Sequence, residues 1–85
     1  MTFSLKPHVT ETQTENGMVL LDQRRGRYFQ LNTTGTLILR TLLKDGSPDH
    51  AATALSEHYG ISTQQAQTDV AKLINALHTA KLATT

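Results

Sequence analysis

Residues 18–35, MVLLDQRRGRYFQLNTTG, place two apolar segments on either side of a tight turn and lead directly into a helix start. The tripeptide 24–26 fits a three-residue hairpin loop with its glycine at the left-handed position, which pairs Asp22 with Tyr28. Strict alternation then predicts a core face made of Val19, Leu21, Phe29 and Leu31. The opposite face, of mixed polarity and expected to be partly solvent-exposed, carries Leu20, Asp22, Tyr28 and Gln30. An ordinary hairpin that closes a small core explains the same pattern, so the hairpin alone identifies no function.

Length and composition limit the possible classes of protein. We expect residues 1–85 to form one domain with a small core, too small for most enzymes. The chain has no Cys, which excludes disulfides and thiolate zinc sites, and its formal net charge of +1 argues against a nucleic-acid partner. No apolar N-terminal run predicts a signal peptide or a membrane span, so we expect a cytoplasmic protein that needs no membrane and no cofactor.

The order of elements predicts an α+β, winged-helix-like fold, in which a three-stranded antiparallel sheet precedes three helices. The first strand is predicted at Phe3–Lys6, and the polar stretch Thr10–Gly17 is predicted as a loop. Helices are predicted from the cap Asn32 to Lys44, from Ser47 to about Tyr59, and from Ser62 onward. In a meander of this kind the third strand, Arg27–Leu31, is an edge.

The third predicted helix carries an apolar stripe at spacings of four, three and four residues. Its members are Ala66, Val70, Leu73 and Leu77. Ile74 lies about 40° to one side of Val70 and widens the face toward Gln67, either as core or as the wall of a groove.

Catalytic, metal and DNA-binding patterns are weak. No two of the four histidines (His8, His50, His58 and His78) are four residues apart, so we expect no metal site. Nothing resembles a nucleophile elbow or a phosphate loop, and we expect a non-enzyme. A winged-helix DNA regulator would read bases from its third helix, where the exposed residues are Gln64, Gln67, Thr68, Asp69 and Lys72. The arginines at 24, 25 and 27 suit either phosphate contact or a solvated turn.

Three stretches together carry a family resemblance: VLLDQRRGRYFQLNTTGTLILRTLLKDGS, ATALSEHYGIS and TDVAKLINALHTAKL. They resemble the PqqD-like peptide-recognition domains that serve ribosomally made, modified peptides. Within that family the chain is most similar to the stand-alone leader-recognition proteins of lasso-peptide gene clusters, through GRYFQLN, the LL-x-DG helix end and the D-V-x-x-L pattern at Asp69, Val70 and Leu73. A PqqD-type carrier of another peptide, such as the pyrroloquinoline quinone precursor, stays open as an alternative.

The resemblance implies that a precursor's leader adds as a strand beside the third strand and rests against the third helix. A Tyr-x-x-Pro element of the leader then enters an apolar recess, and the domain passes the precursor to a leader peptidase and a macrolactam cyclase. An edge strand without Pro or Lys suits such strand addition on physical grounds as well. The predicted leader-binding residues are Arg27, Tyr28, Phe29, Gln30, Leu31, Asp69, Val70, Leu73, Ile74 and Leu77. For Asp69, a contact with the leader or a hairpin arginine and a purely solvated role are both open.

Overall fold

A computed structural model describes residues 3–84 of the chain. The strands are β1 (Ser4–Leu5), β2 (Val9–Thr14), β3 (Gly17–Asp22), β4 (Arg27–Leu31) and β5 (Ala83–Thr84). The helices are α1 (Thr33–Asp45), α2 (Pro48–Tyr59) and α3 (Thr63–Thr79). Strands β2, β3 and β4 form an antiparallel sheet in that order, and the three helices follow it. The predicted α+β class, with a three-stranded antiparallel sheet before three helices, is therefore confirmed.

The predicted register of the β3–β4 hairpin is wrong by one residue. Asp22 pairs with Arg27, and Leu20 pairs with Phe29. The buried side chains of β3 are consequently Met18, Leu20 and Asp22, whereas Val19 and Leu21, predicted for the core, lie on the outer face. On β4 the predicted core parity holds, because Leu31 is buried and Phe29 packs against the core.

The buried carboxylate of Asp22 explains the change of register. Its Oδ1 accepts hydrogen bonds from the backbone N–H groups of Arg24 and Arg25, each at 3.0 Å. The Asp22 carbonyl accepts from the N–H of Gly26 at 2.7 Å. These bonds close a four-residue loop, residues 23–26, instead of the predicted three-residue loop. An acid at the end of a strand can thus be buried when its carboxylate accepts hydrogen bonds from the next turn. A pattern of alternating polarity assigns such an acid to the solvent face, which gives the wrong register.

Two further strand predictions are corrected. The stretch predicted as a loop, Thr10–Gly17, contains most of β2, whose side chains from Thr10 to Thr14 are all exposed. Such a strand shows no apolar alternation, so its pattern does not distinguish it from a loop. The first predicted strand contains β1, but β1 pairs with β5 at the far end of the chain and lies outside the three-stranded sheet.

All three helix starts agree with the predicted caps. The side chains of Asn32, Ser47 and Ser62 each accept a hydrogen bond from the backbone N–H three residues on. Gly46 and Gly60 end α1 and α2 in the left-handed conformation. The core that these helices cover contains large side chains that are fully buried, namely Leu20, Ile38, Leu39, Leu42, Leu55 and Leu77.

Candidate functional site

Strand β4 is an edge of the three-stranded sheet, and its free backbone groups can be assigned from the pairing. The two-residue turn between Thr14 and Gly17 must be closed by a hydrogen-bonded pair. Because bonded and non-bonded pairs alternate, the even-numbered residues of β3 bond to β4. Phe29 therefore bonds to Leu20, while the N–H and C=O groups of Tyr28 and Gln30 point to the free edge.

One flank of α3 ends at the recess beside this edge. At about 100° per residue, Asp69, Leu73, Ala76 and Ala80 fall within a sector of about 60°. All four are half-buried. Ala80, at the end of this flank, lines a recess of about 110 Å³ together with Leu82 and the β4 residues Tyr28 and Phe29. The small side chains of the flank, Ala76 and Ala80, lie toward its C-terminal end, where the recess is.

Charged groups frame that recess. Arg27 and Asp22 line it, Arg27 on its exposed side and Asp22 as a buried acid. A guanidinium nitrogen of Arg25 lies 3.2 Å from the Asp22 carboxylate, and His8 Nε2 lies 3.6 Å from it. Burial by itself raises the pKa of Asp22, but the N–H and guanidinium of Arg25, His8 and the N–H of Arg24 outweigh it and lower the pKa below its ordinary value. The carboxylate therefore stays ionised and fixes the hairpin turn that starts β4.

The structure separates the predicted α3 residues into three groups. Val70 and Leu77 point into the core, with only 2% and 0% of their surface exposed. Leu73 and Asp69 lie on the flank that ends at the recess. Ile74 lies on the opposite flank and lines a second groove of about 410 Å³ between α3 and the start of α2, away from β4. Hence Ile74 and Leu73 lie on different flanks of α3.

The predicted residues of β4 also divide by face. Phe29 and Leu31 point toward the core, whereas Tyr28 and Gln30 are exposed on the outer face. Asp69 accepts a hydrogen bond within its own helix, because Gln65 Nε2 donates to its Oδ1 at 2.9 Å. In the described part of the chain Asp69 contacts no arginine of the hairpin.

The outer face of the sheet carries a partly exposed apolar patch, formed by Val19, Leu21 and Tyr28. Tyr28 is 75% exposed and pairs directly with Leu21 across the strands. Val19 and Leu21 are half-buried but do not belong to the apolar residues packed on the core. No helix of the described chain covers this face, since the core lies on the other side. We call it the outer patch.

Sequence reasoning missed two residues that line the recess, Ala80 and Leu82, the flank residue Ala76, and the outer patch. The flank had a signal, because Asp69, Leu73, Ala76 and Ala80 are spaced by four, three and four residues like the core stripe. Alanines in such a stripe are easily taken for neutral surface. Between residues 3 and 84, no three His, Cys, Asp or Glu side chains lie close enough to share a metal ion. No helix in that range is long and apolar enough to cross a membrane.

Comparisons with known proteins agree with this geometry. The family described as coenzyme PQQ synthesis protein D (PqqD) matches residues 17–83. A solved structure of lasso peptide synthetase B1 complexed with the leader peptide is 39% identical, covers 100% of both chains and superposes with a TM-score of 0.93. A structure of TbiB1 in complex with the TbiA(beta) leader peptide is 25% identical, covers 98% of this chain and 94% of that one, and has a TM-score of 0.82. No curated protein matches significantly.

Proposed function

Because the chain belongs to the PqqD family, we propose that it binds the leader of a ribosomally made precursor peptide as a strand added to β4. The observation that carries the proposal is the free edge of β4 beside the half-buried flank of α3. Backbone groups of Tyr28 and Gln30 supply hydrogen bonds to any extended peptide, and the recess beside Phe29 and Ala80 receives a side chain. Affinity then comes from the main chain and selectivity from the recess.

We further propose that the pathway is lasso-peptide biosynthesis. Both solved structures named above are leader-bound proteins, and one is described as a lasso peptide synthetase. The alternative, a carrier for the pyrroloquinoline quinone precursor, uses the same family fold but has less support, because the more similar of the two structures comes from a lasso system. A DNA regulator has no support from the comparisons, and the face of α3 that would read bases offers one acid and one base, Asp69 and Lys72.

The domain presents its bound leader to a leader peptidase and a macrolactam cyclase without catalysing a reaction itself. The outer patch supports this part of the proposal. A leader strand added to β4 would extend the sheet, so its outward side chains would lie beside Tyr28 and continue the outer patch. An enzyme that docks there contacts carrier and leader together. Tethering raises the local precursor concentration, so its benefit fades at saturating precursor.

Calorimetry tests leader binding directly. The probes are the leader of the precursor encoded in the same gene cluster and the leader from the 39%-identical lasso peptide synthetase B1. We expect a dissociation constant between about 10 nM and 10 µM for the cognate leader and no measurable binding of its scrambled sequence. Equal heats from leader and scrambled peptide would contradict the proposal.

A reconstitution tests presentation. Purified peptidase and precursor are mixed at low precursor concentration with wild-type protein or with Leu21→Lys, which places a charge in the outer patch. We expect Leu21→Lys to bind leader normally and to lose most of the stimulation of cleavage, because the charge disrupts an apolar contact. Cleavage by this chain alone, or equal peptidase rates without it, would overturn the carrier role.

A further inference from the structure

We call the strip between the β4 edge and the α3 flank of Asp69, Leu73, Ala76 and Ala80 the groove; it starts at the recess beside Ala80 and carries opposite charges at its two ends. Arg27 lies at the recess, at the same end as Ala80. Asp69 lies eleven residues before Ala80 on the same flank, which corresponds to about 16 Å along the helix. The apolar part of the flank, Leu73 and Ala76, separates the two charges.

Both charges lack an opposite partner among the described contacts. The ion pairs within residues 3–84 join Asp22 to His8 and Arg25, and Asp45 to His50. Arg27 takes part in none of them, and Asp69 accepts only the neutral amide of Gln65. Asp69 is half-buried, so a peptide that covers it without supplying a cation would remove water from an unpaired carboxylate at a cost.

We infer that this charge separation fixes the direction and register in which the leader lies on β4. The inference rests on the proposed function, because it concerns the same groove. The matching leader carries an acidic side chain at the Arg27 end and a basic side chain at the Asp69 end. A strand can add to an edge in either direction, and backbone hydrogen bonds discriminate only slightly between the two. Opposite charges at the two ends stabilise one direction and penalise the reverse.

The geometry also sets the spacing of the two leader residues. Side chains that point toward α3 are every second residue of the added strand, at about 6.6 Å intervals. A span of about 16 Å therefore requires an acid and a base four or six residues apart. A leader in which the base precedes the acid would run antiparallel to β4, because β4 runs from the Arg27 end.

The test exchanges the charges on both partners. The peptide probes are the cognate leader and a version in which the acid and the base at this spacing are exchanged. Each is titrated by calorimetry into wild-type protein and into the double variant R27E/D69K. We expect the exchanged leader to bind wild type about tenfold more weakly, and the double variant to reverse the preference. Raising the salt concentration should shrink both differences.

A matched control makes the same kind of double charge reversal at two residues outside the groove. The variant R24E/E57K alters two exposed residues, one on the hairpin turn and one on α2, and it also leaves the net charge unchanged. It should keep the wild-type preference. If the double variant R27E/D69K binds both peptides as wild type does, or weakens both equally, the inference is overturned while leader binding stands. A wild-type protein that binds neither peptide would instead overturn the proposed function.

Discussion

A proline at Gln30 should separate leader binding from folding. The N–H of Gln30 points to the free edge of β4, so its loss breaks no bond within the sheet. The preceding residue, Phe29, is already extended, as a residue before proline must be. We therefore expect Gln30→Pro to destabilise the fold by about 1 kcal/mol or less, which lowers the melting temperature by about 8 °C at most.

The same change should abolish leader binding. An added strand lies about 4.8 Å from β4, and the pyrrolidine ring occupies the space through which Gln30 would donate its hydrogen bond. The lost donor and the steric conflict together cost about 3 kcal/mol or more, which corresponds to more than about a hundredfold in affinity. Calorimetry measures the binding, and thermal melting followed by circular dichroism measures the stability.

Two proline variants serve as controls for this experiment. Glu11→Pro places the same residue at a free-edge position of β2, on the opposite side of the sheet, and should leave both fold and binding intact. Phe29→Pro removes a bond to Leu20 and a side chain packed on the core, and should unfold the domain. If folded Gln30→Pro binds leader normally, or if Glu11→Pro loses binding, the leader does not dock on β4.

Five further substitutions test the flank, two glycines of the sheet and its turns, and the buried acid. Leu73→Asp should weaken leader binding more than about tenfold while Ile74→Asp, on the other flank, changes it less than about twofold, with circular dichroism to confirm folding. Gly17→Ala should cost at least about 3 kcal/mol in urea unfolding, because its methyl group would lie 2.1 Å from the carbonyl oxygen of Leu31. Gly26→Ala meets open space at φ +64° and should cost only about 1 kcal/mol. The lowered pKa of Asp22 means that its stabilising effect is present above its ordinary value of 3.8 and is lost as pH falls through the folded value. The melting-temperature gap between wild type and Asp22→Asn should therefore narrow from pH 7 to below pH 4, and a gap that stays constant would refute this role.

Local signals in the sequence predicted the helices well, because capping is decided within four residues. Ser62 illustrates this, since its hydroxyl accepts from the N–H of Gln65 as the spacing predicts. A Gln three residues after a cap can also donate to the backbone of the cap residue, but the Gln65 amide donates to the Asp69 carboxylate instead. Sequence spacing alone does not tell which of two possible hydrogen-bond partners within one turn a side chain will take.

Local sequence patterns do not predict features that depend on contacts between distant parts of the chain. The register of β3 depends on whether Asp22 faces solvent or accepts hydrogen bonds from the next turn. A polarity pattern predicts a solvent-facing Asp22, which is wrong. Strand β1 pairs with β5, about eighty residues away in the sequence. For the candidate site, the edge strand and α3 were predicted, but the side of α3 that faces β4 depends on helix packing. Only the structure distinguishes Leu73 from its neighbour Ile74 in this respect.

The pairing of β1 with β5 gives the domain a property useful for protein engineering. Ser4 lies opposite Thr84, and their hydroxyl oxygens are 3.1 Å apart. Residues near both ends of the fold are thus held side by side, so the whole unit can be spliced into a surface loop of a host protein through two short linkers. A circular permutant that joins these ends and opens the exposed turn at Glu15 should keep the β4 edge free. Such a permutant would move both points of attachment from the β1–β5 pair to the β2–β3 turn, so a host protein would hold the β4 edge in a different orientation.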